Sequence, residues 1–172
     1  MGLILNKSLP ALEDIHTVVF DFDGIFTNNM VWVDEDGRES VRCDRGDGLA
    51  LDLVRAFGEQ NQFNAEFFIL SKETNPVVLA RAKKLRLPCH HGIKDKLGFM
   101  KTHLASRFPS DFDAFGGLVY LGNDLNDLPL MRRAGYAVAP ADAHPKVHAA
   151  AHLILDQDGG QGFVRAFIEQ LL

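Results

Sequence analysis

The sequence predicts an α/β domain with three layers, in which helices cover both faces of a central, mainly parallel β-sheet. Short apolar runs, rich in β-branched and aromatic residues, alternate along the chain with longer segments of helical periodicity. Polar residues gather directly after several of these runs, where the strands of such a sheet end. Doubly wound sheets bind ligands beyond the carboxyl ends of their strands, so the same pattern predicts a functional site at that edge.

The strands follow from the apolar runs. Four runs have the length of one buried strand of a parallel sheet, and shorter runs near Pro88 and Leu153 are weaker candidates. The four main predicted strands are Thr17–Phe20, Glu66–Leu70, Leu118–Leu121 and Tyr136–Ala139.

Six further segments have helical periodicity. Asn75 followed by Pro76 is typical of a helix start, because the asparagine caps the first turn and proline favours its first position. Gly135 is predicted to end the helix before it in a left-handed conformation. The predicted helices are Gly48–Gln60, Pro76–Arg86, Lys94–Arg107, Asp127–Ala134, Pro145–His152 and Gly162–Leu171.

A segment of different character, MVWVDEDGRESVRC, follows the first strand. Its β-forming residues flank Asp36-Gly37, a pair typical of a tight turn, so we predict an inserted β-hairpin flap at about residues 28–45. The chain shows no internal repeat and no linker, and residues 1–172 are predicted to form a single domain.

The composition is that of an ordinary globular domain, and it argues against several classes of function. The formal net charge of −5 over 172 residues makes binding of nucleic acid or of an anionic membrane by charge improbable. Cys43 and Cys89 are too few and too far apart for a disulfide scaffold or a zinc ribbon. We find no signal peptide and no apolar run of bilayer length, and we expect a cytoplasmic protein.

Two aspartates, Asp21 and Asp23, follow the first predicted strand in the stretch VVFDFDGIFT. Carboxylates this close repel each other, and a hard divalent cation such as Mg²⁺, which prefers oxygen ligands, removes that repulsion. A second acidic cluster, LGNDLNDLP, follows the strand Leu118–Leu121 and can complete such a site from the neighbouring strand. We therefore predict Mg²⁺ as the cofactor.

These residue types favour phosphoryl transfer. With the cation bound, Asp21 can attack phosphorus covalently, and Asp23 is then placed to act as general acid and base. Ser71, directly after the strand Glu66–Leu70, offers a hydroxyl donor to the phosphate oxygens, and Lys96 offers a compact cation. Each signal alone is weak, because aspartate, serine and lysine are common in turns, helix caps and solvated helices.

In this order and in these contexts, the elements resemble the motifs of the haloacid dehalogenase (HAD) superfamily of phosphatases. They are D-x-D-G after one strand, a serine after a second, a later lysine, and G-x-D-x-x-D after another strand. The resemblance covers nearly the whole chain from about Asp14 onward, and it implies a Rossmann-like (HAD-like) fold. The catalytic residues that it implies are Asp21, Asp23, Ser71 and Lys96. The metal ligands that it implies are Asp21, Asp23, Asn123, Asp124 and Asp127.

The segments between the motifs are too short for the lid domain that many members of the superfamily carry. In this respect the chain resembles the capless branch of the superfamily. This branch includes 3-deoxy-octulosonate 8-phosphate phosphatases, nonulosonate 9-phosphate phosphatases and the phosphatase-like module of N-acylneuraminate cytidylyltransferases. The resemblance implies a small-molecule substrate, a phosphorylated keto-deoxy sugar acid. It also implies a homotetramer in which the flaps of four subunits pack together.

Several segments, among them LSKETNPVVLARAKKL, look most like the sialic-acid side of this branch. The resemblance implies substrate contacts from Thr27, Glu73, Arg81 and Lys84. Arg81 and Lys84 lie three positions apart on one helix face, where an arginine fork can bind the carboxylate of a sugar acid. A solvated basic helix face is an equally good interpretation of these two residues.

One position departs from the family pattern, in which the metal-binding motif usually begins Gly-Asp-Asp. Here it reads Gly122-Asn123-Asp124, and because the asparagine carbonyl contributes no charge, we expect weaker metal binding. Asp124 then acts directly or through a water, and Asp127 orients Lys96 or the waters of the metal. The departure leaves a second hypothesis open: a weakly active or non-catalytic module that assembles with a cytidylyltransferase in CMP-sialic acid synthesis.

Overall fold

A computed structural model describes residues 8–61, 63–110 and 113–172, and its centre is a six-stranded parallel sheet. In chain order the strands are β1 (Thr17–Phe20), β2 (Trp32–Val33), β3 (Glu39–Ser40), β4 (Glu66–Leu70), β5 (Cys89–His90), β6 (Leu118–Leu121), β7 (Tyr136–Ala139) and β8 (Leu153–Ile154). The helices are α1 (Arg45–Asn61), α2 (Val77–Leu85), α3 (Lys96–Arg107), α4 (Leu128–Met131), α5 (Pro145–His148) and α6 (Phe163–Leu171). The strand order β5-β4-β1-β6-β7-β8 confirms the predicted fold class, and the four main strands have the predicted bounds.

Alternating residues of the strands point to opposite faces of the sheet, and each face packs against its own helices. In β1, Val18 and Phe20 join a buried cluster with residues of α1, α2 and α6, whereas Val19 joins a cluster with residues of α3, α4 and α5. All four residues of β1 are buried, because this strand lies inside the sheet and both of its faces are covered. The result is the three-layered arrangement that the sequence predicts.

The predicted flap is present as the antiparallel pair of β2 and β3. Its turn depends on Gly37, whose φ of +77° lies in the left-handed region and whose N–H donates to the carbonyl of Asp34 at 3.0 Å. In the described ranges, the chain between β1 and β4 holds only this hairpin and α1, so no cap domain is inserted there.

Two helices end three or four residues before their predicted ends, since α4 ends at Met131 and α5 ends at His148. The N–H of His152 donates to Ala137 of β7 at 2.8 Å, and its ring Nδ1 accepts from the Ala137 N–H, so the chain leaves the helix to form β8. The prediction for Gly135 is wrong, because its φ is not positive. Glycine is needed there for close approach, as a Cβ would lie 2.0 Å from the carbonyl oxygen of Gly116.

Short polar side chains set where two helices begin. Asp44 accepts from the Gly46 N–H, so α1 begins three residues before the predicted Gly48. Asn75 makes its predicted cap contact, accepting from the Val77 N–H at 3.0 Å, and α2 begins at Val77 instead of Pro76. The caps explain the shifted starts. None of the described helices is long and apolar enough to cross a membrane.

Asp47 joins α1 to α6 at the cost of burying a carboxylate. Its side chain is fully buried, Oδ1 accepts from the Arg165 N–H at 3.0 Å, and Oδ2 has no hydrogen-bond partner among the described residues. Burial therefore raises the pKa of Asp47 to about 6, although the Arg165 N–H opposes the shift. The native state holds this proton more tightly than the unfolded chain, so stability falls as pH rises from about 4 through about 6.

We predict that Asp47→Asn stabilises the protein above pH 6, by on the order of 1–2 kcal/mol, because the amide keeps the Oδ1 acceptor and cannot ionise. Urea unfolding of variant and wild type between pH 4.5 and 8 measures the difference. Asp52→Asn is the control, and we expect it to change stability in the opposite direction. Hydrogen bonds from Arg55 and Arg86 lower the pKa of that exposed carboxyl. An Asp47→Asn effect that does not change across this pH range would contradict the account.

Candidate active site

A cavity of about 540 Å³ opens beyond the carboxyl ends of β1 and β4. Five residues predicted from the sequence line it: Asp21, Asp23, Ser71, Glu73 and Asp124. Five more that were not predicted also line it: Asn29, Lys72, Thr74, Leu125 and Asn126. The structure therefore brings three separate loops to one edge of the sheet, as the positions of the polar residues indicate.

The buried ammonium of Lys96 connects two of these loops. Lys96 is 3% exposed, and its Nζ lies 2.7 Å from Asp21 Oδ1 and 2.7 Å from Asp127 Oδ1. It also donates to the hydroxyl of Tyr120 at 3.2 Å. Two carboxylates and one ammonium thus form a charged cluster that is shielded from water, in which the single ammonium pairs with both carboxylates.

Asp21 is held through one of its two carboxylate oxygens. Oδ1 accepts from Lys96 Nζ and from the Phe22 N–H, both at 2.7 Å. Oδ2 has no hydrogen-bond partner among the described residues, and Asp21 is part of the cavity wall. This oxygen is therefore available to a group bound in the cavity.

Asp127 is fully buried, and hydrogen-bond donors engage both of its oxygens. Oδ1 accepts from Lys96 Nζ and, at 2.6 Å, from the Tyr120 hydroxyl, while Oδ2 accepts from the N–H groups of Asn123 and Asp124. Four donors occupy the carboxylate of Asp127, which was also predicted as a metal ligand. Its contacts support the other predicted role, orienting Lys96.

Burial and like charges shift the acid–base properties of this cluster. Burial, reinforced by repulsion from Asp127, raises the pKa of Asp21 to about 7, against the opposing effect of Lys96. Burial alone lowers the pKa of Lys96, but the carboxylates of Asp21 and Asp127 outweigh it and hold that pKa above its ordinary value. Burial also raises the pKa of Asp23, with a further contribution from the charge of Glu73. Asp23 thus retains its proton closer to neutral pH than an exposed aspartate, as a general acid requires.

Thr27 does not take its predicted place in the cavity wall. Its side chain is fully buried, and Oγ1 accepts from the N–H groups of Gly24 and Asn29 at 3.2 and 3.1 Å. These bonds fix the loop that follows Asp23. Asn29 itself has a φ of +62°, which few residues other than glycine and asparagine adopt, and it is part of the cavity wall.

Arg81 and Lys84 lie outside this cavity. They line a separate depression of about 250 Å³ between α1 and α2, together with Arg45, Arg55 and Arg86. Arg81 donates to the carbonyl of Asp44 at 2.6 Å. In the single chain, the two residues therefore do not line the cavity around Asp21.

Known proteins resemble this chain in sequence and in structure. The sequence model of a family described as haloacid dehalogenase-like hydrolase matches residues 117–167. A curated 3-deoxy-D-manno-octulosonate 8-phosphate phosphatase from Escherichia coli K12 is 25% identical over 183 residues, covering 99% of this chain and 86% of the relative. The same phosphatase of Moraxella catarrhalis, crystallised with magnesium, phosphate and KDO, has a TM-score of 0.80 and 25% identity, covering 94% of this chain and 87% of that chain.

A structure from Streptomyces avermitilis, classed with the HAD family hydrolases, decides the family. It is 40% identical, covers 96% of this chain and 89% of its own, and has a TM-score of 0.85. The chain belongs to the haloacid dehalogenase-like hydrolase family. This membership confirms the predicted superfamily and, with the phosphatases among its relatives, the prediction that the chain is a phosphatase.

The oxygen donors of this HAD chain fit a hard divalent cation. No group of three or more His, Cys, Asp or Glu side chains in the described residues could hold a metal ion by itself. Asp21, Asp23 and Asp124 nevertheless supply carboxylates to one cavity, and the Asn123 amide lies beside them over Gly24. Mg²⁺ needs only one or two carboxylates because it keeps several waters, so the donor set suits it.

Gly24 lets the two acidic loops of the HAD site approach each other. Its φ is +76°, and a Cβ there would lie 1.8 Å from Nδ2 of Asn123, a residue that is 7% exposed. The turn at Gly159-Gly160 contacts the same loop, because the Gly160 N–H donates to the carbonyl oxygen of Ile25 at 3.0 Å. Sequence spacing gives no indication of these contacts, because the partners lie about a hundred residues or more apart.

We predict that Gly24→Ala destabilises the protein by about 2–4 kcal/mol, since it adds a clash with Asn123 to the strain of a left-handed alanine. Gly37→Ala is the matched control: its φ is +77°, but nothing lies within 4 Å of the added Cβ. We expect that control to lose about 1 kcal/mol. Equal losses in urea unfolding would show that the Gly24–Asn123 approach is not tight.

Proposed function

We propose that this enzyme hydrolyses a phosphorylated keto-deoxy sugar acid, an octulosonate 8-phosphate or a nonulosonate 9-phosphate, through a phosphorylated Asp21. The observation that best supports this proposal is the contact of the Lys96 ammonium with Oδ1 of Asp21. This contact leaves Oδ2 of Asp21 available at the cavity wall. The phosphatases among the relatives support the substrate class.

In the first step, Oδ2 of Asp21 forms a bond to phosphorus while the bond between phosphorus and the sugar oxygen breaks. Asp23 donates its proton to the departing sugar oxygen, and the raised pKa of Asp23 supports this role. Lys96 compensates the charge of the phosphoryl oxygens beside Asp21, and the Ser71 hydroxyl, in the same cavity wall, donates a hydrogen bond to one of them.

In the second step, the carboxylate of Asp23 accepts a proton from water as the water oxygen bonds to phosphorus. The bond between phosphorus and Oδ2 of Asp21 breaks, which releases inorganic phosphate and restores both aspartates. We propose that Asp21, the Asp23 carbonyl and Asn123 hold Mg²⁺, with Asp124 bound directly or through a water. When bound, the ion supplies charge neutralisation for the transferred phosphoryl group.

The catalytic proposal is favoured over a purely structural module because the buried charges of the site are unfavourable to bury. Burying an ammonium between two carboxylates contributes little net stability, and well-packed apolar residues often serve as well. A scaffold has no use for such a cluster at the wall of an open cavity, whereas phosphoryl transfer uses each of its charges.

Asp21→Asn is expected to lower the rate of phosphate release at least about 10³-fold, because the amide is a poor nucleophile. The assay measures phosphate from octulosonate 8-phosphate and nonulosonate 9-phosphates in Mg²⁺ buffer. Asp36→Asn, in the exposed flap turn, is the control and should keep wild-type rates. If Asp21→Asn turns over as fast as wild type, the covalent mechanism is wrong.

We also propose that the chain forms a homotetramer through its flaps. Four consecutive apolar residues of the flap, Met30 to Val33, are between 48% and 68% exposed in the single chain. A contiguous apolar surface of this kind is typical of a protein interface. Arg81 and Lys84 can keep their predicted substrate contact only if their depression meets the cavity of a neighbouring subunit.

We expect Trp32→Glu to dissociate the tetramer, because it places a charge in the flap contact. Light scattering after size exclusion should give four times the 19.1 kDa chain mass for wild type and a smaller mass for the variant. Leu172→Glu changes an exposed leucine at the C-terminus and serves as the control. A monomeric wild-type chain at micromolar concentration would rule out the tetramer.

A further inference from the structure

We infer that Tyr120 is a positioning residue for phosphoryl transfer, with its hydroxyl fixing the Lys96 ammonium in the orientation that serves Asp21. The inference rests on the proposed function and adds to it a residue that no sequence motif indicates. It depends on the packing of Tyr120, on the hydrogen bonds of its hydroxyl and on the acceptors that surround the ammonium.

The packing of Tyr120 gives no reason for a hydroxyl. The residue lies on β6, where it pairs in register with Val19 of β1 and Ala137 of β7, and its side chain is fully buried in an apolar cluster. A phenylalanine would fill the same space. A buried hydroxyl is unfavourable unless it is hydrogen-bonded, so its partners must explain its presence.

Those partners are the two charged residues behind Asp21. The Tyr120 hydroxyl donates its proton to Asp127 Oδ1 at 2.6 Å and accepts a proton from Lys96 Nζ at 3.2 Å. Lys96 Nζ also donates to the same Asp127 oxygen at 2.7 Å. Tyr120, Asp127 and Lys96 therefore form a closed triangle of hydrogen bonds.

Three acceptors surround the Lys96 ammonium. Asp127 Oδ1 and the Tyr120 hydroxyl, themselves 2.6 Å apart, contact Nζ at 2.7 and 3.2 Å, and Asp21 Oδ1 contacts it at 2.7 Å. The contacts to Asp127 and Tyr120 hold Nζ in place while it pairs with Asp21. A phosphoryl group on Asp21 thus meets a cation that is already oriented, with no reorganisation during the reaction.

Tyr120→Phe tests this inference, because it keeps the ring and removes only the hydroxyl. Lys96 can then pivot toward Asp127 and away from Asp21. We expect kcat for phosphate release to fall about tenfold while KM stays within about twofold, since orientation affects the reacting state more than substrate binding. The affinity for beryllium trifluoride in Mg²⁺ buffer, a mimic of the phosphoryl group on Asp21, should weaken by a similar factor.

Two further variants separate positioning from a general loss of structure. Tyr136→Phe removes the hydroxyl of the other tyrosine of the chain, on the neighbouring β7, and should leave kcat and beryllium trifluoride affinity unchanged. In a Lys96→Met background, Tyr120→Phe should have no further effect on kcat, because the two residues act through one interaction. Thermal unfolding of each variant verifies that it is folded at the assay temperature.

Wild-type kcat and wild-type beryllium trifluoride affinity in Tyr120→Phe would overturn the inference. So would a full tenfold loss in the Lys96→Met background, which would mean that Tyr120 acts elsewhere. A wild-type chain that binds beryllium trifluoride but releases no phosphate contradicts the proposed function alone, and the affinity comparison still decides on Tyr120. A wild-type chain that does neither overturns both.

Discussion

The buried ion cluster around Lys96 is the interaction on which the rest of the site depends. Asp21 and Asp127 come from loops that follow different strands, and their charges are tolerable at close range because the ammonium lies between them. Removing Lys96 leaves two buried carboxylates without their counter-charge, and breaking a buried ion pair in this way typically costs about 3–5 kcal/mol. The pairing that stabilises Asp21 also sets its orientation, so the fold and the proposed chemistry depend on the same contacts.

Local signals in the sequence predict much of this architecture. The runs that form β6 and β7 are apolar over their whole length, and those that form β1 and β4 are apolar after a first polar residue, Thr17 and Glu66, because strands covered on both faces have no solvent side. Acidic residues directly after such strands point to the functional edge, since parallel strands bring their carboxyl ends together. Helix starts were shifted by one to three residues, because caps such as Asp44 depend on side-chain geometry that periodicity does not describe.

The features that the sequence does not predict are contacts between distant segments. In the sequence, Tyr120 is only one residue of an apolar run. The one indication of its role is its hydroxyl, which needs a hydrogen-bond partner inside a buried strand. The resemblance implies a substrate contact from Thr27, yet its side chain is buried within the loop. Arg81 and Lys84 share one helix face as predicted, but the direction of that face depends on how α2 packs against α1.

The most direct measurement for the central claim is chemical trapping of the phosphorylated enzyme. Borohydride reduces an aspartyl phosphate to homoserine, so rapid quenching during turnover of octulosonate 8-phosphate, reduction and peptide mass spectrometry locate the modified residue. The account predicts that the modification is found at Asp21 in wild type and is absent without substrate. Phosphate release with no modified residue, or with the modification at another position, would contradict it.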